Sequence, residues 1–208
     1  MLYVRGAGAA LDLVLLDGAP VHAPFHLGGL IDPGLPPAID RAERLQGGVT
    51  ARYDGGLSDV LLLGSRSAAA GTEASVFADM LALGGSYQTA SDGVGAVSAS
   101  WRKLHGAGEH GLLPTAFPQA YSDALLRADL YPSGGADTLS LTVFRNQESV
   151  RIGDGPDRDQ PSWGNTAGSL RYQTQTVVGW LELGGALGSF DARLPVGATE
   201  PLIATGST

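Results

Sequence analysis

The chain contains no cysteine, which removes disulfides, thiolate metal sites and cysteine nucleophiles from consideration. That absence does not fix a compartment, because an oxidising location permits disulfides without requiring them. Lysine is nearly missing as well: Lys103 stands alone beside twelve arginines, and the formal net charge is −8. An acidic chain with no basic stripe is a poor candidate for nucleic-acid binding, so no nucleic-acid partner is expected. Long apolar runs are also lacking, each being broken well short of the roughly 18 residues that a membrane helix needs. The first residues, MLYVRG, have neither the basic start nor the apolar core of a signal peptide. Hydropathy is blind to a β-barrel, however, whose strands alternate instead of running apolar.

Glycine is what the chain has in excess, with 31 among 208 residues, about twice the usual share of roughly 7%. Hydrophobic residues make up 43% and charged residues only 16%, too apolar a balance for a disordered chain. The length suffices for one large domain or two small ones with a sizeable core. Few charges, many glycines and scattered small residues suit a β-rich protein with many tight turns.

The texture changes near residue 67. Before it, short apolar runs alternate with turns. Residues 13–16 (LVLL) read as a buried strand ending in an Asp17-Gly18 hairpin turn. Pro36 and Pro37 are placed to start a short helical turn over 38–41, since proline is tolerated at the first helical position. Residues 57–63 form a second buried strand candidate behind Asp54, Gly55 and Gly56. This part reads as a small α+β unit. After residue 67 come longer alternating segments, with strands expected at about 74–83, 94–102, 123–131, 137–147, 165–174 and 177–190. Ala124, Leu126, Ala128 and Leu130 share one face while Leu125, Arg127 and Asp129 share the other. Leu139, Leu141 and Val143 likewise oppose Ser140 and Thr142. An up-and-down barrel would turn the leucines outward and place Arg127 and Asp129 inside where water reaches them, with Trp101, Tyr131 and Trp180 as girdle aromatics. A soluble sandwich shows the same period with the core inverted, so period alone leaves both readings open.

Candidate chemical motifs reduce to structural ones. His22 and His26 have H-x3-H spacing, but Pro24 lies between them and argues against the helix that would aim both rings at one metal. Gly6 and Gly8 begin a phosphate-loop pattern that fails at Leu11, where the third glycine belongs. Asp154, Asp157 and Asp159 cluster in GDGPDRDQ, yet Arg158 interrupts them and the closing glutamate of an EF-hand is missing. No G-x-S-x-G nucleophile elbow occurs. No catalytic residue, metal ligand or cofactor site is therefore expected, and the chain is not read as an enzyme.

One resemblance orders these pieces. YVRGAG, LVLLDGAPVHAPFHLGGL and AIDRAERLQGGVTARYDGGLSDVLLLGSR follow one another like the later elements of the plug domain of TonB-dependent outer-membrane receptors. The second resembles the L-L-D-G-V-P strand-turn element in the subgroup that continues P-F-H-L-x-G-L. Further on, PSWGNTAGSLRYQ is similar to an early barrel strand of the same subgroup. Arg44, Gly48 and Asp54 depart from the usual aliphatic, proline and glycine, and Arg44 puts in doubt whether its strand is buried on both faces.

The resemblance implies a mainly β protein: residues 1–66 as the C-terminal part of a plug domain, a small α+β unit, and 67–208 as the first strands, about six, of an incomplete transmembrane β-barrel. It implies the outer membrane, with its lipid as one partner, TonB as a partner of the intact receptor, and uptake of a scarce small-molecule ligand such as a siderophore. Full receptors of this kind close a barrel of about 22 strands around the plug. The chain would then be a fragment lacking the signal sequence, the TonB box and the first half of the plug. His22, Phe25 and His26 are the candidate ligand contacts. The competing readings are a complete small outer-membrane barrel or porin-like protein, and a soluble β-rich ligand-binding domain.

Overall fold

The structure is a computed structural model describing residues 13–22, 26, 37–45, 59–79, 81–105, 118–150, 160–196 and 200–207. It consists of a four-stranded sheet and an eight-stranded sheet, and no helix occurs among the described residues. The expected Gly6/Gly8 loop and the Asp154, Asp157 and Asp159 cluster lie outside those residues.

The small sheet forms where the aliphatic runs are. Strand β1 (Leu13–Leu16) turns through Asp17 and Gly18 into β2 (Ala19–Pro20). Both turn residues have positive φ, 48° and 89°, the type I′ geometry whose twist matches that of a two-residue hairpin. Strand β4 (Val60–Ser65) pairs parallel with β1, Leu13 opposite Val60 through Leu16 opposite Leu63. Residues 14–16 of β1 are buried and 61–63 of β4 half-buried, which fits the unbroken aliphatic runs of a parallel pair. Strand β3 (Ile39–Leu45) closes the order β2-β1-β4-β3 as an exposed edge. Its charges face solvent and blunt that edge, and Arg44 makes an ion pair with Asp59 at 2.6 Å.

Residues 38–41 are thus not the expected helical turn. Four residues cannot offset the cost of helix nucleation, whereas the free edge of β4 offers a ladder from Ile39 onward, with a bulge between Ile39 and Arg41.

The large sheet is an antiparallel meander of β5 (Gly71–Ala78), β6 (Ala82–Ser91), β7 (Gly95–Leu104), β8 (Pro118–Leu130), β9 (Asp137–Val150), β10 (Ser162–Thr176), β11 (Gly179–Val196) and β12 (Glu200–Ser207). Eight strands replace the expected six. The segment expected at 74–83 is split by a turn in which Asp79 Oδ1 accepts from the backbone N–H groups of Leu81 and Ala82, at 2.7 and 2.6 Å. Strand β12 had no counterpart among the expected segments. Strands β9, β10 and β11 run to 14, 15 and 18 residues, beyond the roughly 9–11 that cross a bilayer.

Which way the faces point separates the readings left open above. Tyr121, Asp123, Leu125 and Asp129 of β8 are buried, and so are Thr142, Phe144, Asn146 and Glu148 of β9. The opposite faces are exposed, with Leu126 at 43%, Leu130 at 53% and Leu141 at 43%. Register aligns the exposed residues into apolar rows across the sheet: Leu130, Leu139, Tyr172, Leu183 in one and Ala128, Leu141, Leu170 in the next. A soluble sandwich would pack those leucines into its core, and they are outside. A complete eight-stranded barrel would pair β5 with β12, but these strands end the sheet on opposite sides and no pairing joins them among the described residues.

The small sheet sits against the polar face. Leu16, Ala19, Val21 and Ala38 form one apolar cluster with Leu125, Phe144 and Ala167 of the large sheet. The hairpin turn aims this cluster, so its backbone is the place to test the arrangement. Replacing Gly18 by valine forces a β-branched residue to positive φ and is expected to cost about 1–3 kcal/mol. A denaturant titration of the protein in detergent checks this, and an unchanged midpoint would contradict it.

Candidate functional site: a polar seam between the two sheets

Between the sheets lies a seam of buried polar contacts, organised around two nodes. The first is His26. Its Nδ1 lies 2.8 Å from Glu148 Oε2 and its Nε2 lies 2.6 Å from Asp123 Oδ1. Tyr121 stacks on the imidazole at 4.6 Å and 20°. Arg102 donates from Nε and Nη2 to the other oxygen of Asp123, at 2.9 and 2.6 Å, and its guanidinium stands 5.6 Å from the Tyr121 ring centre. Burial by itself pulls the imidazole's pKa down; the hydrogen bonds and charges of the two carboxylates outweigh it and raise the value to about 8.

The second node is the hairpin turn. The Asp17 carboxylate accepts from the backbone N–H of Ser65, from the Ser65 hydroxyl, and from Thr142 Oγ1 at 2.7 Å. Arg127 ties this node to the wall: its Nη1 donates to the Ser65 carbonyl at 2.6 Å and its Nε to Asp129 at 3.0 Å. Ser67 donates to the same Asp129 at 2.5 Å. Arg171 reaches the Asp17 carbonyl at 3.3 Å. Arg127 and Asp129 therefore do face inward, but Asp129 is 2% exposed and satisfied by protein donors, not by the water expected around it.

His22 lies between the nodes. Its backbone N–H donates to Asn165 Oδ1 at 2.8 Å and its carbonyl accepts from Asn165 Nδ2 at 2.6 Å. Its ring meets the edge of Phe190 at 5.9 Å. The chain passes so close to β11 here that a Cβ on Gly188 would stand 2.4 Å from the carbonyl oxygen of Pro20. Beside the turn, a cleft of about 1140 Å³ opens between the sheets, lined among others by Leu13, Leu15, Arg127, Arg171, Gln173 and Glu182.

A solved structure shares this fold. The chain superposes over 97% of its length, with a TM-score of 0.69 and 13% identity, on the crystal structure of the siderophore receptor PirA from Acinetobacter baumannii. The likeness is one of fold. The chain spans 37% of that protein's length. No protein-family model and no curated protein matches the sequence.

Of the residues singled out from the sequence, His22 and His26 both join the seam through different partners, and Phe25 lies outside the described residues. His26 has both ring nitrogens engaged by carboxylates. Sequence reasoning missed Arg102, Asp123, Glu148, Asn146 and Asn165. Their signal was an ionisable or amide side chain at an inward position of an alternating strand, the same sign that marked Arg127 and Asp129.

Gly188 gives a test of how closely the sheets must approach. Gly188→Ala places a methyl against a carbonyl oxygen that cannot yield without moving the hairpin, and is expected to destabilise the protein by about 1–3 kcal/mol. The mirror change at Gly185, where a Cβ meets nothing within 4 Å, should be near neutral. Equal midpoints for the two variants in denaturant would refute the close approach.

Proposed function

We propose that the chain is a stretch of a TonB-dependent outer-membrane receptor: residues 1–66 are the C-terminal part of its plug, and 67–208 supply eight strands of the barrel wall around it. The observation that carries this reading is the inside-out large sheet. Its exposed face is an apolar band suited to lipid, and its buried face is a polar wall on which the small sheet is seated. Open edges at β5 and β12 support further wall strands on both sides, because an unpaired edge is not tolerated in hydrocarbon. The plug-like order of sequence elements and the shared fold support the same assignment.

The connections suggest an orientation. Those at 92–94, 131–136 and 177–178 leave one end of the sheet and are all short; those at 79–81, 105–117, 151–161 and 197–199 leave the other and include the two longest. Short turns face the periplasm and long loops the exterior in outer-membrane barrels. The His26 node then lies toward the exterior and the Asp17 node toward the periplasm. In this reading the receptor binds a small molecule such as an iron chelate from outside. Contact with TonB loosens the plug from the wall, and the ligand passes. The work is binding and gating, with no covalent step and no catalytic residue.

The lack of native cysteine makes the membrane face directly measurable. In outer-membrane fragments, Leu141→Cys is expected to react with a membrane-impermeant maleimide at least about tenfold more slowly than Ala136→Cys in a turn, since water is excluded from the apolar band. Equal rates would overturn the reading. By itself in water, without detergent, the 208-residue chain is expected to aggregate through its open edges; a monodisperse, cooperatively melting soluble protein would also overturn it.

A further inference from the structure

We propose that His26 is a proton-operated latch: as an imidazolium it clamps the segment carrying it to the wall through Asp123 and Glu148, and loss of its proton frees that end of the small sheet. The inference concerns the seam alone and stands whether or not the receptor reading does.

The geometry demands the proton. Two carboxylate oxygens, which accept hydrogen bonds, lie 2.6 and 2.8 Å from the two ring nitrogens. Both nitrogens must donate, and only the imidazolium carries N–H on both; a neutral ring would turn a lone pair toward one carboxylate. Arg102 donates twice to the second oxygen of Asp123, so that carboxylate accepts from the guanidinium and from the imidazole together.

Charge balance points the same way. The groups facing the ring are Arg102 from β7, Tyr121 and Asp123 from β8, and Glu148 from β9, while the nearby amides of Asn146 and Asn165 are neutral. Protonated His26 adds a cation between the two carboxylates Asp123 and Glu148. Exposure is 6% for Arg102, 1% for His26, 2% for Asp123 and 3% for Glu148, so deprotonation would leave those carboxylates with one cation fewer away from water, which is costly. The stacked Tyr121 ring further favours the cationic form.

The direction in pH follows. The imidazole is held at about 8 against an ordinary 6.5, so the clamp is fully engaged below 6.5 and is lost as pH rises through about 8. That interval caps the coupling at about 30-fold, since each unit is tenfold. Release loosens the 13–22 hairpin without detaching it, because the Asn165 bonds to the His22 backbone and the Asp17 node remain.

The test is carried out on the protein in detergent. The His26 ring is followed by NMR from pH 6 to 9.5, and amide hydrogen exchange of residues 13–22 is followed over the same range, corrected for intrinsic exchange. The expected result is a ring titrating near 8, with protection of 13–22 falling five- to thirtyfold through the same midpoint. Glu148→Gln removes one of the two carboxylates that hold the imidazole proton, so the midpoint should drop to 6.5 or below and protection should stay level at higher pH. A ring already neutral at pH 6, with the proton on Glu148, would overturn the proposal. So would protection that stays level in the wild type while the ring titrates, or a midpoint unmoved by Glu148→Gln. If that variant does not fold, the two wild-type titrations decide the matter alone.

Discussion

A carboxylate taken out of water must be met by a cation or by several donors, because an isolated buried charge is among the most expensive things a fold can contain. The inner wall of the large sheet carries three: Asp123, Asp129 and Glu148, each at most 3% exposed. Arg102 and Arg127 from the same wall answer part of that demand. Ser140 of the wall also bonds Asp129, and further donors come from beyond the wall, through His26 and Ser67, while the Asp17 carboxylate of the small sheet takes a donor from Thr142 on the wall in return. Each sheet is therefore incomplete without the other. The seat of the small sheet is specified by charge and hydrogen bonding, and the apolar cluster around Phe144 adds burial without directional preference.

Strand alternation makes this possible. In a two-residue repeat, one side chain in two faces the wall's interior. The sequence 121–130 places Tyr121, Asp123, Leu125 and Asp129 on that side and leaves Leu126 and Leu130 outside. Either face alone would be ambiguous. The polar face finds its partners in the small sheet, and the exposed rows of leucine are then what the fold offers to an apolar surrounding.

How much of this was legible in the sequence depends on the range of the interaction concerned. The Asp17-Gly18 turn was readable because a two-residue I′ hairpin needs positive φ at both positions, a local demand. The alternation in β8 and β9 was readable for the same reason. Strands β5 and β6 were merged because the turn between them is made by one aspartate amid SVFADMLAL, with no glycine or proline to mark it. The helical turn after Pro37 was a local preference overridden by a sheet edge some 20 residues away in sequence, as tertiary pairing routinely does. The His26 node was not legible at all. Its contacts span 97 and 122 residues, and no local pattern tells a histidine which inward carboxylate it will meet. H-x3-H spacing drew attention to His22 and His26 without indicating these partners.

A seam built this way holds differently from an apolar interface of the same extent. Apolar contacts lose their stabilisation roughly in proportion to the area exposed, so parting them is costly throughout. A hydrogen bond exchanged for water nets only about 0.5–1.5 kcal/mol, so most of the strength of the Asn165, Ser65 and Thr142 contacts is recovered once water enters. The buried charges oppose this, because they must be rehydrated together. The small sheet is thus held in a single position by groups that are demanding while dry and undemanding once wet. Such an element stays put while its seam is dry and gives way from whichever end is wetted first.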